Sequence, residues 1–586
     1  MLGRHLLELA VAMCGAAMVA SPAAAADQKC TIGQFMQLPV TIIDRQPTVP
    51  AAINGHKVAL VVDSGAFFSV LSSSVAAEYH LPHRAAPEGF YLEGVGGRSE
   101  VDIATVKDFT LAGQPFHRVE FLVGTSEPGE AGLLGQNFLG MADVEYDLPD
   151  GAVRLMQPHG CGHASLAYWA KTGNYSVLDI ESADRAGKHT QATVEIDGVK
   201  LRAIFDTGAA TTILTRHAAN RLGFKPDGPG VTEAGDSRGL GRGVVRTWIA
   251  PFGALSLGDN ETIKNIRLRV GEIDDDSYDM LIGADFFLSH RVYVSNELRK
   301  MFFSYSGGPV FDLSVHHDTG STSPPLPADA PTTAEGFSGR GTAFAARHEY
   351  ARAKDDLSHA IALAPAEPRY RLERARIEQA GDDKAAAAAD LDAAVKMAPS
   401  DITVRLARAG LRMEQDDRAG ARADADAADA AAAPQSDARF ELGMLYDALG
   451  ESTKALKQYD LWIDGHRNDS RVPLALNNRC WLRTLAGTDL KAAIDDCNHA
   501  VHLRPHMAGF LDSRGLAHLR NGDTQKAIDD YNDALKIDPK IAGSLYGRGL
   551  AKRRLGDEAG AASDIAAAKA IDPKVADLFN KHGITR

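Results

Sequence analysis

Three kinds of patterning divide the chain. At its start an apolar stretch runs from Leu6 to Ala20, broken only by Glu8; Arg4 and His5 precede it, and Ser21-Pro22 and Ala24-Ala25-Ala26 follow. A polar start, an apolar middle and a small-residue end form the layout of a cleavable export signal, here residues 1–26. From about 35 to 305, short runs rich in Val, Ile, Phe and Thr are separated by turn dipeptides such as Asn54-Gly55, Asp197-Gly198 and Gly258-Asp259. That alternation predicts short antiparallel strands. Beyond residue 332 the chain turns to Ala, Arg, Asp and Leu at helical spacing. Between the two zones, residues 306–331 carry Gly307-Gly308, Ser323-Pro324-Pro325 and Pro327 and read as a flexible linker.

The β-patterned zone is written twice. Residues 50–158 and 191–305 repeat each other in order. Val61-Val62-Asp63-Ser64-Gly65-Ala66 returns as Ile204-Phe205-Asp206-Thr207-Gly208-Ala209, at an offset of 143. Gly94-Val95-Gly96-Gly97 returns as Gly239-Leu240-Gly241-Arg242, and Leu134-Gly135-Gln136-Asn137 as Ile282-Gly283-Ala284-Asp285. Two mostly antiparallel barrels are expected, within residues 27–165 and 166–305.

Each copy places one Asp at the end of an apolar strand, followed by a hydroxyl residue and Gly. A single such loop is an ordinary turn. Two loops face to face carry chemistry. Gly65 and Gly208 permit close backbone approach, Ser64 and Thr207 can tie the loops together, and Asp63 and Asp206 can share one proton about a water. One carboxyl then acts as base toward the water while the other gives its proton to a carbonyl oxygen.

These residues resemble the D-[ST]-G-A signature of retropepsin-like aspartic proteases. Gly135 with Asn137 and Gly283 with Asp285 are similar to the family's apolar-Gly-x-[Asn/Asp] motif beneath the catalytic loop. Gly94, Val95, Gly96 and Gly97 resemble the tip of its flap, and Gly239, Leu240 and Gly241 a second flap. The resemblance spans about 35–305 and implies two acid-protease lobes on one chain, with Asp63 and Asp206 meeting between them. Pairing of each lobe with its counterpart on a second chain is the rival geometry. Phe67 and Ala210 stand where the retroviral enzymes usually carry a substrate-gripping Asp, and Arg242 replaces a flap Gly.

In the back half, small residues recur twelve apart (Gly341/Ala353, Ala375/Ala387, Gly443/Ala455, Gly515/Ala527, Gly549/Ala561), and prolines follow at 365, 399, 434, 505, 539 and 573. Small residues suit helix crossings, and a proline stops the second helix of a pair. This period of 34 resembles the tetratricopeptide repeat: about seven units over 332–573, with 574–586 as a cap. The third unit is irregular, and Trp481 stands at the normally small position of the fifth. The Asp-rich helix faces read as solvated surface.

Composition narrows the partners. The 586 residues fit three to five domains. With 45% apolar and 24% charged residues, wholesale disorder is excluded. The net charge of −14, with no basic block, argues against nucleic acid. No later stretch reaches the about 18–20 uninterrupted apolar residues of a membrane span. Of five cysteines, Cys14 leaves with the signal. Cys480 and Cys497 lie in one repeat and are expected to pair, which leaves Cys30 and Cys161 to bracket the first lobe. The run His159-Gly160-Cys161-Gly162-His163 lacks metal-ligand spacing, so neither metal nor cofactor is expected. The reading is an exported, periplasmic or secreted aspartic endopeptidase, its substrate a peptide or protein, with a repeat array that recruits substrate or partner. The alternative is an inactive adaptor that binds proteins through the same surfaces.

Overall fold

Alternating burial explains the strands of the front half. In Thr190–Ile196 every second side chain is buried, the signature of a strand with one face on a core. The hairpin turns at Asn54-Gly55 and Asp197-Gly198 take left-handed backbone at both positions, which matches strand twist. The computed structural model describes residues 30–584 except 96, 125–130, 163, 171–173, 182–188, 238–244, 274–276, 312–330 and 468. The expected signal and most of the expected linker lie outside the described residues.

Two closed six-stranded barrels result. The first runs through Gln46–Ile53, His56–Val62, Gly132–Leu134, Val70–Ser72, Gln114–Gly124 and Asp102–Leu111, and closes where Ile53 pairs with Phe109. The second runs through Thr190–Ile196, Val199–Phe205, Met280–Ile282, Ile213–Thr215, Glu261–Gly271 and Val245–Leu257, and closes where Ile196 pairs with Leu255.

A further six-stranded sheet joins the barrels, with three strands from each half of the repeat. Its order is Thr31–Pro39, Ala152–His159, Asp143–Asp147, His290–Ser295, Lys300–Tyr305, Ser176–Asp179. The Cys30–Cys161 disulfide closes the end of its first strand pair. In the strand Asp143–Asp147 the side chains part to two faces. Tyr146 points toward the barrels, while buried Glu145 and Asp147 hold Arg154 (2.5 and 2.8 Å) and Arg291 (2.8 and 3.5 Å).

Among the described residues of the back half, fourteen helices from Ala334–Ala346 to Glu558–Ile571 stack as seven antiparallel pairs, and Val575–Lys581 follows them. The small positions sit at the helix crossings: a Cβ on Gly443 would lie 2.7 Å from the Tyr459 ring, and one on Gly515 2.9 Å from Tyr531. Two expectations are corrected here. The Asp-rich faces are not all solvated, since Asp356, Asp390, Asp424, Asp530 and Asp564 are buried, each under the guanidinium of an Arg sixteen positions earlier. The small position of the fifth unit is Cys480, not Trp481. Its arginine, Arg479, meets Asp496 seventeen positions later, because the turn at Gly487-Thr488-Asp489 is one residue longer and shifts the register.

The first helix of the array is packed onto the barrels. Gly339 meets Val40 and Gly151 backbone to backbone; a Cβ there would lie 2.4 Å from the Val40 carbonyl oxygen. Thr342 accepts the Ile42 N–H at 3.0 Å, and Ala343 belongs to the same apolar core as both barrels. Among the described residues no helix is long and apolar enough to cross a membrane.

Candidate active site

The two repeated loops lie against each other where the barrels meet. Strand His56–Val62 pairs in parallel with Gly132–Leu134, and Val199–Phe205 with Met280–Ile282, so each Asp emerges beside the Gly of the later motif. The Asp63 N–H donates to the Leu134 carbonyl (3.1 Å) and the Asp206 N–H to that of Ile282 (2.9 Å). Asp63 Oδ1 accepts the N–H groups of Gly65 and Ala66, both at 2.8 Å, and Asp206 Oδ1 that of Gly208 at 2.9 Å.

The carboxyl groups face each other through the two glycines. A Cβ on Gly65 would lie 2.5 Å from Asp206 Cγ, and one on Gly208 2.5 Å from Asp63 Cγ. Burial first, then the Asp206 charge and a hydrogen bond to its side chain, push the Asp63 carboxyl well above its ordinary value; the Ala66 and Gly65 N–H groups pull less strongly the other way. Ser64 and Thr207 hydrogen-bond to each other across the barrel boundary.

The later motifs hold the loops from beneath. Asn137 accepts both the N–H and the hydroxyl of Ser69 at 2.8 Å, and Ser69 Oγ accepts the Gly135 N–H at 3.0 Å. Asp285 does the same for Thr212, whose hydroxyl accepts the Gly283 N–H at 3.0 Å. Burial raises the Asp285 carboxyl, against its hydrogen bonds from Thr212 and the charge of Arg45.

Of the expected flap, Tyr91–Gly94 and Gly97–Glu100 form a two-stranded hairpin, with Gly94 paired to Gly97. Val95 at its tip reaches across to the second barrel and packs on Ile204, Ile213, Val245, Ile273, Tyr278 and Leu281. Leu92 stays on the first barrel's matching cluster around Val61, Val70 and Leu133. Gly96 and the second flap residues Gly239, Leu240, Gly241 and Arg242 lie outside the described residues. So does His163, while Cys161 is committed to its disulfide. The second disulfide is Cys480–Cys497. Among the described residues no three His, Cys, Asp or Glu side chains are grouped to hold a metal ion.

Sequence reasoning missed four supports. Ser69 and Thr212 each follow their Asp by six, a repeated signal that could have found them. Tyr146, fully buried, hydrogen-bonds Ser64 from the joining sheet; burial raises its hydroxyl pKa, opposed by that bond and reinforced by the Asp63 charge. Gln46 donates to the Gly208 carbonyl at 2.9 Å. Its counterpart 143 positions on is His189, which packs on Phe67 with ring centroids 4.0 Å apart. Both positions fall just before the repeated windows.

Comparison with known proteins agrees with this geometry. Residues 49–138 and 192–286 match the aspartyl protease family model, and residues 513–576 a tetratricopeptide repeat model. Among curated proteins there is no match. Solved structures similar to the chain include a tetratricopeptide repeat protein from Parabacteroides merdae ATCC 43184 (17% identity, 43% of this chain and 98% of that one, TM-score 0.33). The APC/C hetero-tetramer Cut9–Hcn1 is 18% identical over 41% of this chain and 48% of that one, TM-score 0.31. YrrB, described as a tetratricopeptide repeat protein with an unusual peptide-binding site, is 14% identical over 39% of this chain and 97% of that one, TM-score 0.24. The chain thus carries two barrels that match the aspartyl protease family model, followed by paired helices that match the tetratricopeptide repeat model over their last units.

Proposed function

We propose that the protein is an aspartic endopeptidase whose single active site lies between its two barrels. The observation that carries this reading is the pair of facing carboxyls, each within reach of the other's glycine, where burial and the Asp206 charge push the Asp63 carboxyl up. Asp63 gives its proton to the scissile carbonyl oxygen, while Asp206 takes one from a water whose oxygen adds to the carbonyl carbon. When the diol collapses, the C–N bond breaks, Asp206 passes its proton to the leaving nitrogen, and a diol hydroxyl returns one to Asp63.

The surroundings support a peptide with apolar side chains on both sides of the cut. The Val61, Val70 and Leu133 cluster flanks one Asp and the Ile204, Ile213 and Leu281 cluster the other, bridged by the flap. Phe68, Phe90 and Tyr91 are exposed large apolar side chains on the first barrel's side. Two disulfides support work in an oxidising compartment after export. The repeat array supports recruitment of a protein substrate or partner.

The test is cleavage of a peptide mixture by residues 27–586, compared with Asp63→Asn and Asp206→Asn, from about pH 3.5 to 7.5. Loss of cleavage in both variants, and block of the wild type by a transition-state-like inhibitor, is the expected result. Loss in only one variant would overturn the shared site. A wild type that captures peptides and cuts none would make the chain an adaptor.

A further inference from the structure

One hairpin turn connects the array to the loop of Asp206. Strands Thr41–Ile43 and Gln46–Ile53 are joined by Asp44 and Arg45, both left-handed at φ 49° and 68°. The array grips this turn from one side. Thr342 accepts the Ile42 N–H at 3.0 Å, and the Arg45 guanidinium lies 3.3 Å from His348 Nε2, whose Nδ1 is 2.9 Å from the Tyr350 hydroxyl. Arginine only donates, so Nε2 accepts here and the ring proton faces Tyr350. Arg45 and His348 also line a cavity of about 20 Å³ together with Asp285, the residue beneath the second catalytic loop.

On its other side the turn delivers Gln46 to the Gly208 carbonyl at 2.9 Å. The Gly208 N–H in turn fixes Asp206 Oδ1 at 2.9 Å. The first barrel holds its own loop differently: Gln136 donates to the Ser64 carbonyl at 2.8 Å from directly beneath. The matching residue in the second barrel is Ala284, whose side chain has no donor to offer. The loop of Asp206 is thus tied to a glutamine of the other barrel, at the end of a hairpin turn that Thr342 and His348 of the array hold at Ile42 and Arg45.

We propose that Gln46 is a positioning residue for the dyad, kept in place by the array through Arg45 and His348, so that the first repeat is part of the catalytic unit and not a detachable recruiter. The proposal rests on the peptidase reading above. Removing the amide or the clamp frees Gly208 and with it the Asp206 carboxyl, while the Asp63 loop keeps Gln136.

Two measurements on the full chain test it, with Gln46→Leu, His348→Ala and the double variant. Amide hydrogen exchange, resolved by peptide, should quicken over residues 204–210 in each variant and stay unchanged over 61–67. Peptide cleavage by Gln46→Leu should show kcat down about ten-fold, the scale of one lost hydrogen bond, with KM within about two-fold and a shifted acid limb in the pH profile of kcat. His348→Ala should move the same quantities less, and the double variant should fall short of the sum. Unchanged exchange at 204–210 would overturn the proposal, as would equal quickening in both loops, which marks general loosening. Faster exchange with kcat and its pH profile intact would overturn it as well. A wild type that cuts nothing would sink the peptidase reading and the catalytic role of Gln46, and exchange would then decide alone whether the array holds the loop.

Discussion

Ser64 and Thr207 exchange hydrogen bonds across the boundary between the barrels. The Ser64 N–H donates to Thr207 Oγ1 at 3.0 Å, and the Thr207 N–H donates to Ser64 Oγ at 2.9 Å. Each hydroxyl then donates to a carbonyl at the end of the opposite barrel's strand, Phe205 at 2.9 Å and Val62 at 2.6 Å. Two short side chains therefore satisfy four buried backbone groups and set the spacing of the carboxyls beside them. Thr207→Val keeps the volume but strands the Ser64 N–H and the Val62 carbonyl, and should cost about 2–4 kcal/mol in urea unfolding. Thr207→Ser keeps the hydroxyl and should cost less than about 1 kcal/mol. Equal losses in the two variants would mean that the hydroxyl contributes no more than the methyl, and that the exchange is not what holds the loops.

Gly65 and Gly208 are the second requirement of the dyad. Neither has left-handed backbone, so alanine is conformationally acceptable at both; the obstacle is the opposing carboxyl, 2.5 Å from the added carbon. Gly65→Ala should push Asp206 aside and Gly208→Ala should push Asp63, each lowering kcat at least about 100-fold, as displacements near 1 Å do. Circular dichroism should report an intact fold in both. Near-normal kcat in either variant would show that the carboxyls have room to part and still react.

How legible was this site? Asp63 and Asp206 stood out because the loop is written twice, and with it came Ser64, Thr207 and the Asn137 and Asp285 supports. Tyr146 gave no such signal: it reaches Ser64 through a sheet that pairs Thr31–Pro39 with Ala152–His159 and joins the two halves of the repeat, contacts distant along the chain. Gln46 and His189 sit at equivalent positions but differ in chemistry, so comparing the copies does not flag them. In the array, a strict twelve-residue rule put Trp481 where Cys480 belongs, because one extra turn residue breaks a local register that only packing reveals. The buried Asp of each repeat was unreadable for the opposite reason: an Asp on a polar helix face looks solvated until its arginine is found sixteen residues earlier.

The two halves should answer acid in opposite ways. The Asp63 carboxyl is raised above its ordinary 3.8 by burial and by Asp206, so above pH 3.8 the folded chain keeps a proton that the unfolded chain has released. Stability from this group therefore falls as pH rises from 3.8 to the raised value, and Asp63→Asn removes that loss. In the array, burial raises Asp424 and Asp564, but hydrogen bonds and charge from Arg408 and Arg405, and from Arg548 and Lys552, outweigh it and hold both below the ordinary value. Their contribution is complete above pH 3.8 and is lost as pH falls through the lowered values. Thermal unfolding from about pH 3 to 7 should show Asp63→Asn gaining on the wild type as pH rises, and both losing the array on strong acidification. A gap between variant and wild type that is constant with pH would remove Asp63 as the titrating group.

The fifth repeat invites a swap. Gly443 packs on Tyr459 and Gly515 on Tyr531, each pair joining the two helices of its unit at the core. The equivalent positions of the fifth unit hold Cys480 and Cys497, both fully buried and bonded across a separation of 17 residues. A covalent link there replaces a glycine–tyrosine contact. Cys480→Ala with Cys497→Ala should lower stability by about 3 kcal/mol, the chain-entropy scale for a loop of this length. Cys480→Gly with Cys497→Tyr should regain about 1–3 kcal/mol of that, since a buried ring refills the space the alanines leave empty. Urea unfolding of the three proteins decides it. If the glycine–tyrosine variant is no more stable than the alanine pair, the longer turn has moved the fifth unit out of register with its neighbours, and the disulfide is not standing in for their packing.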